Sequence, residues 1–226
     1  MPGGSGGHIG TVALPGELRV VGDVAEAFAD LVVEVAPASL ALSGGDTARR
    51  SYEELAGRAL EWSGAEVFFG DERFVPAGHP DSNEGMARRA LLDRVRPKVV
   101  HPMYRPGPVG AAADAYDELV RAAPPIELVH LGLGPDGHTA SLFPRSPALD
   151  ERERLVVATG DDAHPHPRLT LTLPGIARSP LVVFTVEGET KRDALDRLGA
   201  GADLPAARVR ADTVVWLVDA AAAGHA

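Results

Sequence analysis

The sequence is notable first for what it lacks. Its 226 residues include no cysteine, and only two of its 22 basic residues are lysines, Lys98 and Lys191. Without cysteine the chain can form no disulfide and offers no thiolate as a nucleophile or metal ligand. No apolar run approaches the roughly 18 residues that a membrane-spanning helix needs. We therefore expect a cytoplasmic protein without a membrane partner.

An excess of positive charge is also absent. The formal net charge is −10 at pH 7, which argues against a nucleic-acid partner. The overall field would also repel an anionic ligand, so binding one would require a local cluster of Arg, Lys and backbone N–H groups. Because salt screens charges over about 8–10 Å, such a cluster can dominate its own cleft.

The N-terminus resembles no targeting signal. The first ten residues, MPGGSGGHIG, have neither the basic region nor the apolar core of a signal peptide. We predict that residues 1–10 form a flexible lead. Residues 11–220 are long enough for one large hydrophobic core, and we predict that they form a single domain.

Short apolar runs alternate with helical patterns along the rest of the chain. Strands are predicted at 19–21, 39–42, 66–69, 128–133, 155–158, 169–173, 181–186 and 213–218. Between most of them, apolar residues recur at helical spacing. This alternation predicts an α/β fold with a mainly parallel sheet that is covered on both faces. Because no helix separates 155–158 from 169–173, one antiparallel pairing is predicted there.

Three helix boundaries follow from local signals. Asp23 and Glu26 have the spacing of a capping box, so a helix is predicted to begin there and to end before Pro37. The next helix is predicted to extend to Leu60. Asp81 is predicted to cap a third helix.

The stretch LVHLGLGPDGHTASLFP, residues 128–144, is the most informative one. Its apolar beginning is typical of a buried parallel strand, and Gly134-Pro135-Asp136-Gly137 forces a turn. Ligands bind at the carboxyl ends of strands in open α/β sheets. Asp136 and His138 lie at such an end, and this pattern suits a general base and the carboxylate that orients it.

Two other interpretations of this stretch are open. Gly132, Gly134 and Gly137 match the GxGxxG dinucleotide fingerprint, and Asp161 has the spacing of the ribose acid. However, proline removes an N–H donor, and Asp136 would place negative charge where pyrophosphate should bind. The second interpretation is a structural Asp–His pair that caps the following helix.

Polar groups follow several other predicted strands. Ser43-Gly44-Gly45 precede a helix, where glycines and free N–H groups can hold an anion; an ordinary turn capped by Asp46 or Thr47 is the alternative. Three cations also lie just after, or at the start of, predicted elements, namely Arg73, Arg168 and Lys191.

The motifs SGGDT, GDERFVP, HPDSN, GLGPDGHTASLFP, RLTLT and VEGETK occur in this order. Together they resemble the glucosamine-6-phosphate isomerase/6-phosphogluconolactonase family, and its lactonase members in particular. The resemblance covers nearly the whole chain. The resemblance implies a three-layer αβα sandwich with a Rossmann-like sheet. It implies that Ser43, Gly44 and Gly45 cradle a sugar phosphate. It further implies that Arg73 lies near the phosphate or ring, that Arg168 and Lys191 clamp the phosphate, and that His138 is the base. Asp46 departs from the family pattern and is expected to point away as a helix cap.

The implied reaction is hydrolysis of 6-phospho-D-glucono-1,5-lactone to 6-phospho-D-gluconate, the second step of the oxidative pentose phosphate pathway. His138 would deprotonate the attacking water, and either Asp136 or Asp71 would fix its tautomer. No cofactor is expected. No metal is expected either, because the histidines lack metal-site spacing. The protein is expected to act as a monomer.

Two alternatives on the same fold are a glucosamine-6-phosphate deaminase-like isomerase and a non-catalytic sugar-phosphate-binding module. The deaminase pattern has a Glu soon after the histidine, whereas here no acid lies between His138 and Asp150. A sensing module would need residues for a further domain, and the chain has none to spare.

Overall fold

The computed structural model describes residues 14–160 and 165–224. The predicted lead, residues 1–10, lies outside these ranges, as do Asp161 and His164. In order, the elements are β1 (Glu17–Val21), α1 (Val24–Val35), β2 (Ser39–Leu42), α2 (Asp46–Leu55), β3 (Glu66–Phe69), β4 (Asp71–Arg73), α3 (Asn83–Ala87), α4 (Asp93–Val95), β5 (Val99–Val100), α5 (Val109–Ala122), β6 (Leu128–Gly132), β7 (Val156–Thr159), β8 (Arg168–Leu171), α6 (Leu173–Ala177), β9 (Leu181–Val186), α7 (Arg192–Gly199), β10 (Thr213–Asp219) and α8 (Ala220–Ala223). A π-helical turn, Arg88–Leu92, joins α3 to α4.

The central sheet has seven parallel strands in the order β1-β10-β9-β6-β2-β3-β5. Its inner strands are buried on both faces, which explains why they are apolar without alternation. The predicted αβα sandwich with a mainly parallel, Rossmann-like sheet is confirmed. The parallel arrangement brings the carboxyl ends of β2, β3, β6 and β9 to one edge, and the candidate site lies there.

A second, antiparallel sheet has the order β4-β8-β7. The pairing of β7 with β8 confirms the antiparallel pairing predicted between the runs 155–158 and 169–173. The contribution of β4 was not predicted, because its three residues, Asp71–Arg73, are all charged. This short strand follows β3 after Gly70, whose N–H donates to the carbonyl of Leu42 at 2.7 Å.

A buried carboxylate joins β4 to helix α3. Glu72 is 1% exposed, and its two oxygens accept the N–H groups of Asn83 and Glu84, each at 2.7 Å, and the hydroxyl of Ser82 at 2.9 Å. Burial raises the pKa of Glu72 to about 7, while these hydrogen bonds act in the opposite direction. The carboxylate thereby satisfies N–H groups at the start of α3 that have no partner within the helix.

Three local predictions were wrong. The helix predicted to reach Leu60 ends at Leu55, where a tighter turn follows because the N–H of Arg58 bonds the carbonyl of Leu55. Ser82, and not Asp81, caps α3: its hydroxyl accepts the N–H of Gly85 at 3.0 Å. Helix α2 has no side-chain cap, so neither Asp46 nor Thr47 performs that function. Asp23 does cap α1, as predicted.

Gly85 shows how closely α3 packs on the loop before it. A Cβ at Gly85 would lie 2.0 Å from the carbonyl oxygen of Ala77, whereas a Cβ at Gly110, in the first turn of α5, would meet nothing within 4 Å. We expect Gly85→Ala to destabilise the protein by about 1–3 kcal/mol and the matched Gly110→Ala to be neutral or stabilising by up to about 1 kcal/mol. Urea unfolding of both variants measures this difference. Equal stability changes would contradict the close packing.

Candidate active site

A cavity of about 200 Å³ opens at the carboxyl ends of the parallel strands. Every predicted site residue except Asp136 lines it. Its walls are formed by Ser43, Gly44, Gly45, Asp71, Arg73, Asn83, Gly132, Leu133, Gly134, Pro135, His138, Ala140, Arg168 and Lys191. Residues that are up to 148 positions apart in the chain therefore meet in one cleft.

His138 stands on the turn that follows β6, with Asp136 beside it. Nδ1 of His138 lies 2.5 Å from Oδ1 of Asp136, and the backbone N–H of His138 donates to the same oxygen at 3.1 Å. The turn is closed by the N–H of Gly134, which donates to the carbonyl of His138 at 2.8 Å. A Cβ at Gly134 would lie 2.1 Å from Nδ1 of His138, so only glycine leaves room for the ring.

The ionisation of Asp136 fixes the tautomer of His138. Partial burial would raise the pKa of Asp136, but the hydrogen bonds and positive charge of His138 outweigh it, and the pKa is lowered. An ionised carboxylate only accepts hydrogen bonds, so Nδ1 of His138 carries the proton. In the neutral ring Nε2 is the unprotonated nitrogen, and its lone pair can accept a proton from a ligand or water.

The carboxylate of Asp71 is buried and is held by Ser141 and Asn83. Asp71 is 5% exposed, and its carboxylate accepts the hydroxyl of Ser141 at 2.7 Å and the side-chain amide of Asn83 at 3.3 Å. A Cβ at Gly44 would lie 2.0 Å from Oδ1 of Asn83. Glycine at this position therefore lets the SGG loop pack directly against Asn83, which is hydrogen-bonded to Asp71.

Two guanidinium groups form the cationic wall of the cavity. Arg73 and Arg168 are directly opposite each other in the β4–β8 pairing, so both side chains lie on the same face. Arg73 donates to the carbonyl of Asp81 at 2.8 Å, and Arg168 donates to the hydroxyl of Ser141 at 3.4 Å. The buried Nε atoms of both arginines lack a partner among the described residues. Burial, with Arg73 as a further cause, lowers the pKa of Arg168.

The opposite side of the cavity offers further groups for an anion. Helix α2 begins after Gly45, which has a φ of 96°, and no side chain of the described residues caps it. The first N–H groups of such a helix can bind an anion. Asp46 points away: its side chain is 97% exposed and lies 3.6 Å from Arg49. The ammonium group of Lys191 makes no hydrogen bond or ion pair within the described chain, whereas its backbone N–H donates to the carbonyl of Gly188 at 3.0 Å. Burial lowers the pKa of Lys191, and Asp136 acts in the opposite direction.

A buried polar network supports the SGG loop from below. The hydroxyl of Tyr52 accepts the N–H of Ser43 at 2.7 Å and lies 2.8 Å from Nδ1 of His130. Nε2 of His130 lies 2.8 Å from the hydroxyl of Thr185. Burial lowers the pKa of His130 to about 3, so its ring is neutral. No sequence pattern predicts this network, because Tyr52 and His130 occur within apolar patterns.

The structure excludes two interpretations of the turn after β6. A dinucleotide fingerprint needs a helix directly after the turn, and a capping Asp–His pair needs the same helix. Residues 133–146, all described, form no helix, and the next element is a 3₁₀ turn at Pro147–Asp150. The Gly-rich turn therefore serves to bring Asp136 and His138 together.

A family model described as glucosamine-6-phosphate isomerases/6-phosphogluconolactonase matches residues 17–216. The chain belongs to this family. Among curated members, the 6-phosphogluconolactonase of Synechocystis is 44% identical over 208 residues, which cover 83% of this chain and 84% of that one.

Two solved structures share the fold of this chain. The 6-phosphogluconolactonase of Thermotoga maritima has a TM-score of 0.77 and 30% identity, covering 90% of this chain and 99% of that one. A monomeric glucosamine-6-phosphate deaminase has a TM-score of 0.80 at 18% identity, covering 93% and 100%. The fold is therefore common to both activities, and the residues of the site must distinguish them.

Among the described residues, no helix is long and apolar enough to cross a membrane. His79, Asp81 and His166, which the sequence does not place together, form a group of potential metal ligands. The group lies at the rim of the cavity, because the cavity-lining Arg73 donates to the carbonyl of Asp81 at 2.8 Å. The sequence could not indicate this group, because 85 residues separate Asp81 from His166.

The paired guanidinium groups predict oxyanion binding. Inorganic phosphate should raise Tm above the value in NaCl of equal ionic strength, since a ligand that binds only the folded state stabilises it. For a chain of this size each kcal/mol corresponds to about 2–4 °C. Arg168→Met should remove most of this increase. Arg94→Met, which deletes an exposed arginine of α4, is the matched control and should retain it. An equal loss in both variants would indicate a general charge effect.

Proposed function

We propose that the protein hydrolyses 6-phospho-D-glucono-1,5-lactone to 6-phospho-D-gluconate, the second step of the oxidative pentose phosphate pathway. The observation that carries this proposal is the position of His138. Its Nδ1 is held by Asp136 at 2.5 Å, and its ring lines the same cavity as Arg73, Arg168 and Lys191. The relatives that share most of this chain carry the same activity in their names.

The phosphate of the substrate supplies binding energy away from the reacting bond. We assign it to Arg168, Lys191 and the free N–H groups at the start of α2, with Arg73 close to the phosphate or the ring. Charge-assisted hydrogen bonds of this kind contribute about 1.5–3 kcal/mol each. They overcome the repulsion from a chain of net charge −10 and hold the lactone carbonyl near His138.

His138 acts as the general base in this proposal. Unprotonated Nε2 takes a proton from a water molecule as that water attacks the lactone carbonyl carbon, because water itself is a poor nucleophile. Asp136 keeps the proton on Nδ1 and stabilises the imidazolium that forms. As the tetrahedral intermediate collapses, the C–O bond to the ring oxygen breaks and the imidazolium returns the proton to that oxygen.

The negative charge that develops on the carbonyl oxygen needs a donor nearby. Arg73 and backbone N–H groups of the cavity wall are the candidates, and preorganised donors of this type are a large part of catalysis. Asp71 keeps Ser141 and Asn83 in place through its hydrogen bonds. We therefore assign Asp71 to the substrate-binding wall rather than to the orientation of His138.

The deaminase alternative shares the fold but differs in the residues available. No Asp or Glu occurs between His138 and Asp150, and the buried carboxylate of Asp71 is engaged by Ser141. A sugar-phosphate-sensing module would have no need for an oriented imidazole in the cavity. The cytoplasmic location, the monomeric state, the single domain at 11–220 and the absence of a nucleic-acid partner remain predictions.

His138→Asn tests the base. It should lower kcat by about 10²–10⁴-fold with little change in KM, because this range is typical for loss of a general base. His101→Asn is the matched control: His101 also lies 3.1 Å from a carboxylate, that of Glu66, but outside the cavity. Coupled lactonase assays, corrected for spontaneous hydrolysis at each pH, measure both. A folded His138→Asn variant with most of its kcat would show that the base lies elsewhere.

Lys191→Ala tests whether Lys191 binds the phosphate of the substrate. KM should rise much more for the phosphorylated lactone than for unphosphorylated glucono-1,5-lactone. Lys98, the other lysine of the chain, pairs with Glu66 at 3.1 Å and provides the control Lys98→Ala. Equal effects of Lys191→Ala on both substrates would rule out a contact with phosphate.

The lowered pKa of Lys191 also gives a pH dependence. As pH rises, this ammonium loses its charge earlier than an ordinary lysine, whose pKa is about 10.4. The Kd of the stable product 6-phospho-D-gluconate should therefore rise on the alkaline side of neutrality. Lys191→Arg, which keeps its charge, should move that rise to higher pH. A Kd profile that is the same in both proteins would contradict this assignment.

Lactone hydrolysis should not need a metal ion, because His138 activates water without one. Dialysis against EDTA should leave kcat unchanged. A loss of kcat that added zinc restores would contradict the proposed mechanism.

A further inference from the structure

We propose that His79, Asp81 and His166 form a binding site for a divalent transition metal, with Zn²⁺ as the best fit, at the rim of the cavity. One ring nitrogen of each histidine and one carboxylate oxygen of Asp81 lie within 4.8 Å of one another. None of the three residues lines the catalytic cavity, so the site is separate from the machinery assigned to hydrolysis.

The distances within this rim cluster suit a metal ion of that size. Nε2 of His166 lies 3.0 Å from Oδ2 of Asp81, and Nδ1 of His79 lies 3.9 Å from the same oxygen. Zinc binds nitrogen and oxygen at about 2.0–2.2 Å in tetrahedral geometry, so its ligand atoms lie about 3.3–3.5 Å apart. Because the three atoms lie within 4.8 Å of one another, side-chain shifts on the order of 1 Å would bring them around one ion.

The backbone holds the rim cluster in place independently of its side-chain contacts. The N–H of Phe74 donates to the carbonyl of Pro167 at 2.8 Å, which joins the two segments next to the pairing of β4 with β8. Within the first segment, the N–H of His79 donates to the carbonyl of Pro76 at 2.8 Å and the N–H of Ser82 to the carbonyl of His79 at 3.0 Å. Prolines also flank His166 on both sides and follow His79, which restricts the backbone.

The donor set selects the type of metal. Two imidazoles and one carboxylate suit zinc, whereas Ca²⁺ and Mg²⁺ prefer oxygen ligands. The side chains of His79, Asp81 and His166 are 39%, 51% and 24% exposed. They are therefore accessible from solvent, and a water molecule can complete the tetrahedron. Binding would displace the contact between the N–H of Asp81 and Nδ1 of His79 and the proton shared by His166 and Asp81.

The rim cluster is linked to the cationic wall through Asp81. Arg73 donates to the carbonyl of Asp81 at 2.8 Å, and the carboxylate of Asp81 is one of the negative charges that act on Arg168. A bound dication would offset that negative charge. The wall would then attract an anion more strongly, so zinc should tighten the binding of 6-phospho-D-gluconate. This second step rests on the proposed function, whereas the binding of zinc does not.

Calorimetric titration of the untagged, EDTA-treated and dialysed protein with ZnCl₂ tests the site. We expect one equivalent to bind. Asp81→Asn and His166→Gln should each weaken binding by more than about tenfold, since even residues that only support metal ligands cost 10–100-fold. His101→Asn and His138→Asn remove histidines from the two other histidine–carboxylate pairs of the described residues and should still bind one equivalent of zinc. Absence of binding, or binding that persists in Asp81→Asn and His166→Gln, would overturn the proposed site.

The link to the cavity has its own test. In wild type, saturating zinc should lower the Kd of 6-phospho-D-gluconate, and in His166→Gln it should not. If zinc binds to the rim cluster and the Kd is unchanged, the link between the two sites is wrong although the metal site stands. If zinc does not bind while lactone hydrolysis is normal, the metal site fails and the proposed function is unaffected.

Discussion

The antiparallel pairing of β4 with β8 is the constraint on which the site depends. It sets Arg73 opposite Arg168, and like charges that face each other across two strands are unfavourable. Asp71, Glu72 and Asp81 provide partial compensation, because their negative charges act on Arg168 in the direction opposite to burial. Both Nε atoms nevertheless remain buried without an acceptor among the described residues. An anion between the two side chains would offset their repulsion and accept hydrogen bonds from both guanidinium groups.

The same small sheet is held to the rest of the protein by Glu72. Three carboxylate contacts to the segment 82–84, at 2.7–2.9 Å, fix the start of α3 to the strand that carries Asp71 and Arg73. Removing such a carboxylate would leave buried N–H groups unsatisfied, which costs about 1–3 kcal/mol for each group. Residues 71–73 therefore combine two tasks: Glu72 faces the helix, and its two neighbours face the cavity.

Much of this arrangement was predictable from the sequence, for identifiable reasons. The inner strands are mostly apolar, and a parallel sheet gathers their carboxyl ends at one edge, so the meeting of the SGG loop with His138 follows from the pattern. The partner of His138 could not be chosen between Asp71 and Asp136, because that choice depends on side-chain direction within a tight turn. The strand β4 was missed because three charged residues carry no strand signal. The rim cluster and the Tyr52–His130 network depend on contacts between distant segments, which no local pattern records.

The hydrogen bonds of the network beneath the SGG loop all run in one donor-to-acceptor direction. Tyr52 accepts the N–H of Ser43 and has one proton of its own, and the shorter of its two remaining contacts is to Nδ1 of His130. Nδ1 is then an acceptor, so neutral His130 donates from Nε2 to Thr185. Every bond thus points from the loop into the sheet, and each one polarises the next. The loop is consequently two-sided: the backbone N–H of Ser43 is committed to the interior, whereas Ser43, Gly44 and Gly45 together line the cavity on the other side.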